Sequence, residues 1–293
     1  MHYFAITFKT YYVKQPKKTH KMKKLLAIIP FLTAATCLAQ SDIERQASSA
    51  ASLIEQAQKA DNDSLRTIYA AQAVETFEAA ITQDDAMTVA FGDIKPISVL
   101  ATVDNKLRIF SWGIQNSEGK YSYYGFIQAK SQDGETVTTR LVDKKDETPR
   151  PGETEMEAAN WYGAIYYEMV QLGGKKSNIY ALAGWDGGDL FINRKVLEQI
   201  RVKDNGTVYF GGYFTDEHNR TCERLIFEFT ERAVMCLRFD KRLKMFVADH
   251  MTIPPEYNGN PKFRGPDGSF DGYMYQKGNW IYVPDLDFKG SRF

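Results

Sequence analysis

From Thr88 to the C-terminus the chain is interrupted so often by turn-forming residues that a long helix has no room in it. Runs rich in Tyr, Phe, Trp, Val and Ile are cut by Asp104-Asn105, Asn116 to Gly119, Asp133-Gly134, Gly173-Gly174, Asp204-Asn205-Gly206 and Lys277-Gly278. Asn, Asp and Gly tolerate the backbone that tight turns require, while aromatic and β-branched side chains suit a pleated surface. Strands joined by such short turns pair antiparallel with their neighbours. The predicted fold is therefore mainly β, with antiparallel strands in a sandwich, curled sheet or barrel, preceded by an N-terminal α-helical segment. Within Lys106 to Trp112, alternation sets Arg108, Phe110 and Trp112 on one face and Leu107, Ile109 and Ser111 on the other. Leu190 to Val202 reads equally as a strand or a helical turn. Val99 to Trp112 is similar to one strand pair of a β-propeller, but no fixed period repeats it. Arg224 to Phe229 and Ala233 to Phe239 read as the arms of one hairpin. Pro284 and Gly290 near the end argue against an outer-membrane barrel.

Ser41 to about Asp85 contains no Gly or Pro and keeps helical spacing through Ile43, Ala47, Ala50, Ile54 and Ala57. Asp61 to Ser64 interrupts it, with Ser64 as the expected cap of a second helix. Ile68, Ala71, Phe77 and Ile81, flanked by Ala73 and Val74, form its predicted apolar face. This segment is similar to one helical repeat of the tetratricopeptide type, and one copy cannot build a solenoid. The expected organisation is residues 1–39 as an upstream extension plus signal peptide, 40–88 as a helical segment and 89–293 as the β-rich domain.

Residues 1–39 hold seven lysines and no Asp or Glu. Lys23-Lys24, the apolar run Leu25 to Leu32 and small residues up to Ala39 have the order of a secretory signal, with cleavage expected after Ala39. The apolar run is too short for a permanent span, so no transmembrane helix is expected after cleavage. Lipid anchoring at Cys37 fits poorly, since the preceding Ala34-Ala35-Thr36 lacks the larger apolar residue of a lipidation site. The expected location is the periplasm or cell envelope. Residues 40–293 carry 30 Lys+Arg against 37 Asp+Glu. That acidic balance, without a basic run, argues against nucleic acid as a partner. Cys222 and Cys236 fall in neighbouring apolar runs, and a disulfide between them is left open.

The signal ending in Ala-Gln, followed by LRIFSW, LAGWDG and GPDGSFDGYMYQKGNWIYVPDLD, resembles an uncharacterised exported β-rich family of Bacteroidota-type bacteria. The likeness covers most of residues 88–288. It implies location and a β-rich fold, and transfers no catalytic residue.

Two stretches carry candidate sites. Trp185-Asp186-Gly187-Gly188-Asp189 offers an aromatic face and two acids, the combination that stacks on sugar rings and hydrogen-bonds their hydroxyls, so Trp185, Asp186 and Asp189 are the candidate ligand-binding residues. Asp267-Gly268-Ser269-Phe270-Asp271-Gly272 matches the first half of a calcium loop, with Asp267, Ser269 and Asp271 as oxygen donors. The match stops at Gly278, where a bidentate Glu is required. Further acids lie at Glu168, Asp240, Asp249, Asp285 and Asp287, and glycoside hydrolysis needs two carboxylates held about 5–10 Å apart. Nothing in the sequence selects the pair. Beyond Gln40 only His218 and His250 remain, with no Gly-x-Ser-x-Gly elbow, zinc-ligand spacing, Cys-x-x-Cys pair or phosphate-cradling glycine loop. Trp112, Tyr121, Tyr123, Tyr124, Phe126, Trp161, Tyr162, Tyr166 and Tyr167 suit a core or a groove. The sequence thus favours a non-catalytic β domain binding a glycan or an envelope protein through strand-end loops. A carboxylate-based glycan hydrolase and a structural subunit of an envelope assembly are the alternatives.

Overall fold

The computed structural model of the chain describes residues 30–287 apart from Lys175, with side chains from Asp42 onward. The chain divides into two compact units, Met1–Cys37 and Leu38–Phe293. Of the first, only the opening turns of a helix fall within the described residues, and most of the expected signal segment lies outside them. The second unit is described from here on.

Among the described residues two α-helices precede the strands. α1 spans Pro30–Lys59 and α2 spans Asp63–Ile81. Asn62, rather than the expected Ser64, caps α2: its side-chain oxygen accepts the Leu65 N–H at 2.9 Å, satisfying an amide that has no partner within the helix. α2 buries Ala70, Ala73, Val74, Phe77, Ala80 and Ile81, whereas Ile68 and Ala71 are exposed. The apolar stripe is therefore turned by about half a helical step from the one predicted. Among the described residues no helix is long and apolar enough to cross a membrane.

The strands follow in chain order as β1 (Ser98–Ala101), β2 (Leu107–Gln115), β3 (Tyr121–Lys130), β4 (Thr136–Val142), β5 (Met156–Glu157), β6 (Ile165–Gln171), β7 (Ile179–Asp186), β8 (Ile192–Val202), β9 (Val208–Phe210), β10 (Tyr213–Thr215), β11 (Thr221–Cys222), β12 (Arg224–Thr230), β13 (Leu237–Asp240), β14 (Met245–Thr252), β15 (Gly265–Gln276) and β16 (Asn279–Val283). They form three sheets. The first is the meander β1-β2-β3-β4, the second has the order β5-β9-β8-β7-β6 with β12 also on β8, and the third has the order β11-β10-β16-β15-β14-β13. Every pairing is antiparallel except β10 with β16. The chain is mainly β, as expected, and the sheets do not close into a barrel. The ambiguous Leu190 to Val202 segment is a strand, paired with β7 on one side and with β9 and β12 on the other.

The sheets stack as layers, because their strands alternate between two buried faces. On β2, Phe110, Trp112 and Ile114 join the helices in one core, while Leu107 and Ile109 join the second sheet in another. On β7, Tyr180 and Leu182 face the first sheet, and Ala181 and Ala183 face the third. The order is thus helices, first sheet, second sheet, third sheet. Trp112, Phe126, Trp161, Tyr162 and Tyr166 are all buried, which places most of the aromatic band in the core.

Polar groups lock the layers together. Arg108 donates to the Ala86 and Met87 carbonyls, and its cross-strand neighbour Gln128 donates to the Ile81 carbonyl at 2.7 Å. The Gln128 bond satisfies the last carbonyl of α2, which has no helical partner, and the Arg108 bonds hold the short turn Ala86–Thr88 that follows the helix. Phe77 packs edge-on to Phe110 (5.0 Å) and Trp112 (5.7 Å) across the same interface.

β12 and β13 are not arms of one hairpin. β12 lies in the second sheet and β13 at one edge of the third. Cys222 lies in β11, the opposite edge of that sheet, and Cys236 immediately precedes β13. Five strand spacings, about 24 Å, separate the two edges. Both thiols are free, because no disulfide bridges such a gap.

Phe77 is fully buried in the helix–sheet core. Phe77→Ala is expected to cost about 3–5 kcal/mol in urea unfolding. A cost below about 1 kcal/mol would mean that the helical pair does not depend on this contact.

Candidate ligand-binding cleft

The stretch from Trp185 to Asp189 divides into three environments. Trp185 and Asp186 both meet β3, the first through Tyr121 and the second through Tyr123. Trp185 is half-buried with its ring against Tyr121 at 5.1 Å, edge to face. Asp189 is exposed and closes the β7–β8 turn, its carboxylate accepting the Phe191 and Ile192 N–H groups at 2.7 and 3.0 Å. Gly188 permits that turn with φ +55°, and a Cβ there would lie 2.1 Å from the Ile192 carbonyl oxygen.

Asp186 is wholly buried between the first and second sheets. The Tyr123 and Tyr162 hydroxyls donate to its two oxygens at 3.0 and 3.1 Å, and the Gly188 N–H donates at 3.0 Å. Lys145 and Arg194 approach to 3.4 and 3.6 Å. Lys145 also faces Asp143 at 3.7 Å, and Arg194 donates to Glu228 at 2.9 Å. A chain of alternating charges therefore runs Asp143, Lys145, Asp186, Arg194, Glu228. Burial, reinforced by the Asp186 carboxylate, pushes the Tyr123 and Tyr162 phenols upward, so both remain donors. Burial also raises Asp143, against the pull of Lys145.

A second buried pair braces β12. Arg224 donates through Nε to Glu198 at 3.0 Å, directly across the β8–β12 ladder, and through its other nitrogens to the carbonyls of Pro151, Thr154 and Phe210. The Tyr166 hydroxyl donates to the other Glu198 oxygen and accepts from Trp161 Nε1 at 2.7 Å. Every side-chain nitrogen of Arg224 and both oxygens of Glu198 have a hydrogen-bond partner, the condition under which such a pair is tolerated in a core.

The calcium-like motif is built into a strand. Asp267, Gly268 and Ser269 bulge out of β15 opposite His250, where the β14–β15 register shifts. Gly268 takes φ +94°, and Asp267 accepts both the N–H and the hydroxyl of Ser269. Asp267 is exposed while Asp271 is buried and bonded elsewhere, so the three proposed oxygen donors do not converge. Among the described residues no group of three or more His, Cys, Asp or Glu side chains is placed to hold a metal ion.

Asp271 instead belongs to a cleft of about 400 Å³ between the second and third sheets. The cleft follows the free edge of β12, which is tied down only near its ends: the Glu223 N–H reaches the Gly152 carbonyl at 2.8 Å, and the Thr230 N–H reaches the Arg264 carbonyl at 2.8 Å. Phe227, half-buried at the cleft, meets the buried Tyr273 edge to face at 5.5 Å. Asp216, Glu228, Asp249, Arg264 and Asp271 supply charge. Asp216 is paired with Arg220 at 2.7 Å, and Glu228 is the outer end of the Asp186 network. Asp271 holds His250 Nδ1 at 2.7 Å and accepts the Asp285 N–H at 3.3 Å, and Tyr282 hydrogen-bonds to the same carboxylate. The chain matches no protein-family model, no curated protein and no solved structure.

Of the cleft residues, Asp249 stands out in the sequence only as one acid among many, and Asp271 only as a member of the calcium-like motif. Arg264 follows a proline-rich loop and carries no signal of its own. What joins them is the packing of the third sheet on β12, which no local pattern records.

Two stability outcomes follow. Asp186→Asn, which leaves Lys145 and Arg194 without their shared anion, is expected to destabilise by about 3–5 kcal/mol; near-neutral unfolding would show the network to be dispensable. His250 is raised above its ordinary 6.5, first by the hydrogen bond to Asp271, with Asp267 and Glu217 adding to the field. That contribution is complete below pH 6.5 and fades as pH rises through the raised folded value. In His250→Gln, stability measured by urea unfolding should fall less steeply above pH 6.5 than in the parent. Parallel pH profiles would remove the pair from the balance.

Proposed function

We propose that this chain is an exported, non-catalytic binding protein of the bacterial envelope, and that its β domain takes a small polar ligand of the glycan class in the cleft along β12. The observation that carries the reading is the cleft itself: the half-buried Phe227 ring, packed on the buried Tyr273, lies among ionised groups drawn from both sheets, within a volume suited to one or two sugar units. Aromatic faces receive the apolar side of a sugar ring, and fixed carboxylates and guanidinium groups receive its hydroxyls. The proposed site lies along β12 and the third sheet, whereas the sequence pointed to strand-end loops at Trp185, Asp186 and Asp189. Export is supported by the lysine-flanked apolar run before Ala39 and by the resemblance to exported proteins. The boundary of the compact unit at Cys37 and Leu38 falls beside that position.

The test is the melting temperature of the purified chain against a panel of neutral, amino and acidic glycans. A ligand that binds only the folded state raises stability by about 2.7 kcal/mol at a hundredfold excess over its dissociation constant. Phe227→Ala should weaken binding about tenfold, equivalent to 1.4 kcal/mol, while the unliganded chain stays folded. An upward shift that is undiminished in Phe227→Ala would place the site elsewhere. Hydrolysis of a bound glycan would replace this reading by the carboxylate-based hydrolase.

A further inference from the structure

Resting on that reading of the cleft, we infer that its ligand is zwitterionic, with a cationic amine received by Asp249 and a carboxylate received by Arg264. Both side chains line the cleft. They differ from the charged groups around them, which already have charged partners within the protein. The Asp249 carboxylate accepts one backbone N–H, from Cys236 to Oδ2 at 2.6 Å, and no cation stands within 4 Å of it among the described residues. Arg264 is fixed through its backbone, accepting from Thr230 and donating to Pro261, but its guanidinium has no hydrogen-bond or ion-pair partner among the described residues. The two do not pair with each other, so each presents charge to whatever occupies the space between them.

A half-buried carboxylate without a cation is expensive to keep ionised, and burial accordingly raises Asp249 above its ordinary value. Lys195 opposes that rise only from beyond ion-pair distance, with its ammonium over the Tyr167 ring at 4.7 Å. An arriving ammonium supplies the missing charge. A planar guanidinium offers a carboxylate two parallel donors, the geometry that a lone Arg at a cleft wall provides best. Asp249 comes from β14 and Arg264 from the residue just before β15, so both are held on the framework of the third sheet. Within the glycan class this selects an amino sugar that also bears a carboxylate.

Four probes separate the charges: glucose carries neither, glucosamine the amine, glucuronic acid the carboxylate, and muramic acid both. Isothermal titration of the purified chain should show muramic acid binding at least tenfold more tightly than glucosamine or glucuronic acid, since it alone supplies a partner to both charged side chains. Arg264→Gln should lower muramic acid to the level of glucosamine and leave glucosamine unchanged. Asp249→Asn should lower it to the level of glucuronic acid. Equal affinity for all four sugars would overturn the inference while leaving the cleft as a glycan site, and the comparison on the unaltered chain decides this even if a variant fails to fold. Binding of none of the four, with no shift from any larger glycan, would overturn the cleft reading and the inference with it.

Discussion

Burial of the second sheet on both faces is the constraint on which the rest of the structure depends. A sheet with one wet face can leave its charged side chains in solvent, whereas this one must find partners for the ions it buries completely. Asp186, Glu198, Gln199 and Arg224 are all buried there, and each is bonded across a layer boundary or along the ladder. Gln199 reaches Trp280 of the third sheet at 3.2 Å, while Asp186 reaches Tyr123 of the first at 3.0 Å. The polar groups therefore set how the layers register on one another. Apolar contact alone, being non-directional, would permit sliding between them.

The same logic explains how the stack treats its edges. β13 ends the third sheet and presents unpaired backbone toward the second. Glu168 accepts the Phe239 N–H at 2.9 Å, and the Tyr167 hydroxyl donates to the Leu237 carbonyl at 2.9 Å. Neighbouring residues of β6 thus close an edge that would otherwise invite another strand. The β6–β7 register shift between Tyr166 and Glu168 lets consecutive residues serve this purpose. Tyr166 itself is held by the first sheet, its N–H donating to Ser111 Oγ at 2.9 Å.

Local chemistry made the strands readable and hid their partners. Asp104-Asn105, Asp204-Asn205-Gly206 and Lys277-Gly278 mark turns because those residues adopt the required backbone, and the alternation along Arg108, Phe110 and Trp112 survives into the structure as a face against the helices. Pairing over distance has no such local mark. Arg224 to Phe229 and Leu237 to Asp240 are close in sequence and suggest a hairpin, yet burial sends the first to β8 and the second to β14. The WDGGD stretch shows the same limit. Its composition suits a sugar rim, but Asp186 faces two tyrosines and a lysine from three distant segments, none of which its own neighbourhood announces, besides the arginine opposite it on β8. The DGSFDG motif is legible as a turn and becomes a bulge, since β14 is present to pair on either side of it.

The ion network and the cleft share one residue, and this sharing shapes what the cleft can do. Glu228 faces the cleft while its carboxylate is anchored by Arg194, whose other contact is the buried Asp186. The wall of the cleft is thereby tied to the first sheet through Lys145 and Asp143. Arg224, filled by Glu198 and three carbonyls, does the same for the opposite end of β12. A strand pinned at both ends and braced from behind has little freedom left to lose when a ligand arrives, so more of the contact energy is available as affinity. The side chains used in bracing are unavailable for recognition, because displacing Arg194 from Glu228 would strand charge beside a wholly buried aspartate. Selectivity then falls to the groups that the brace does not consume, Asp249 on β14 and Arg264 just before β15.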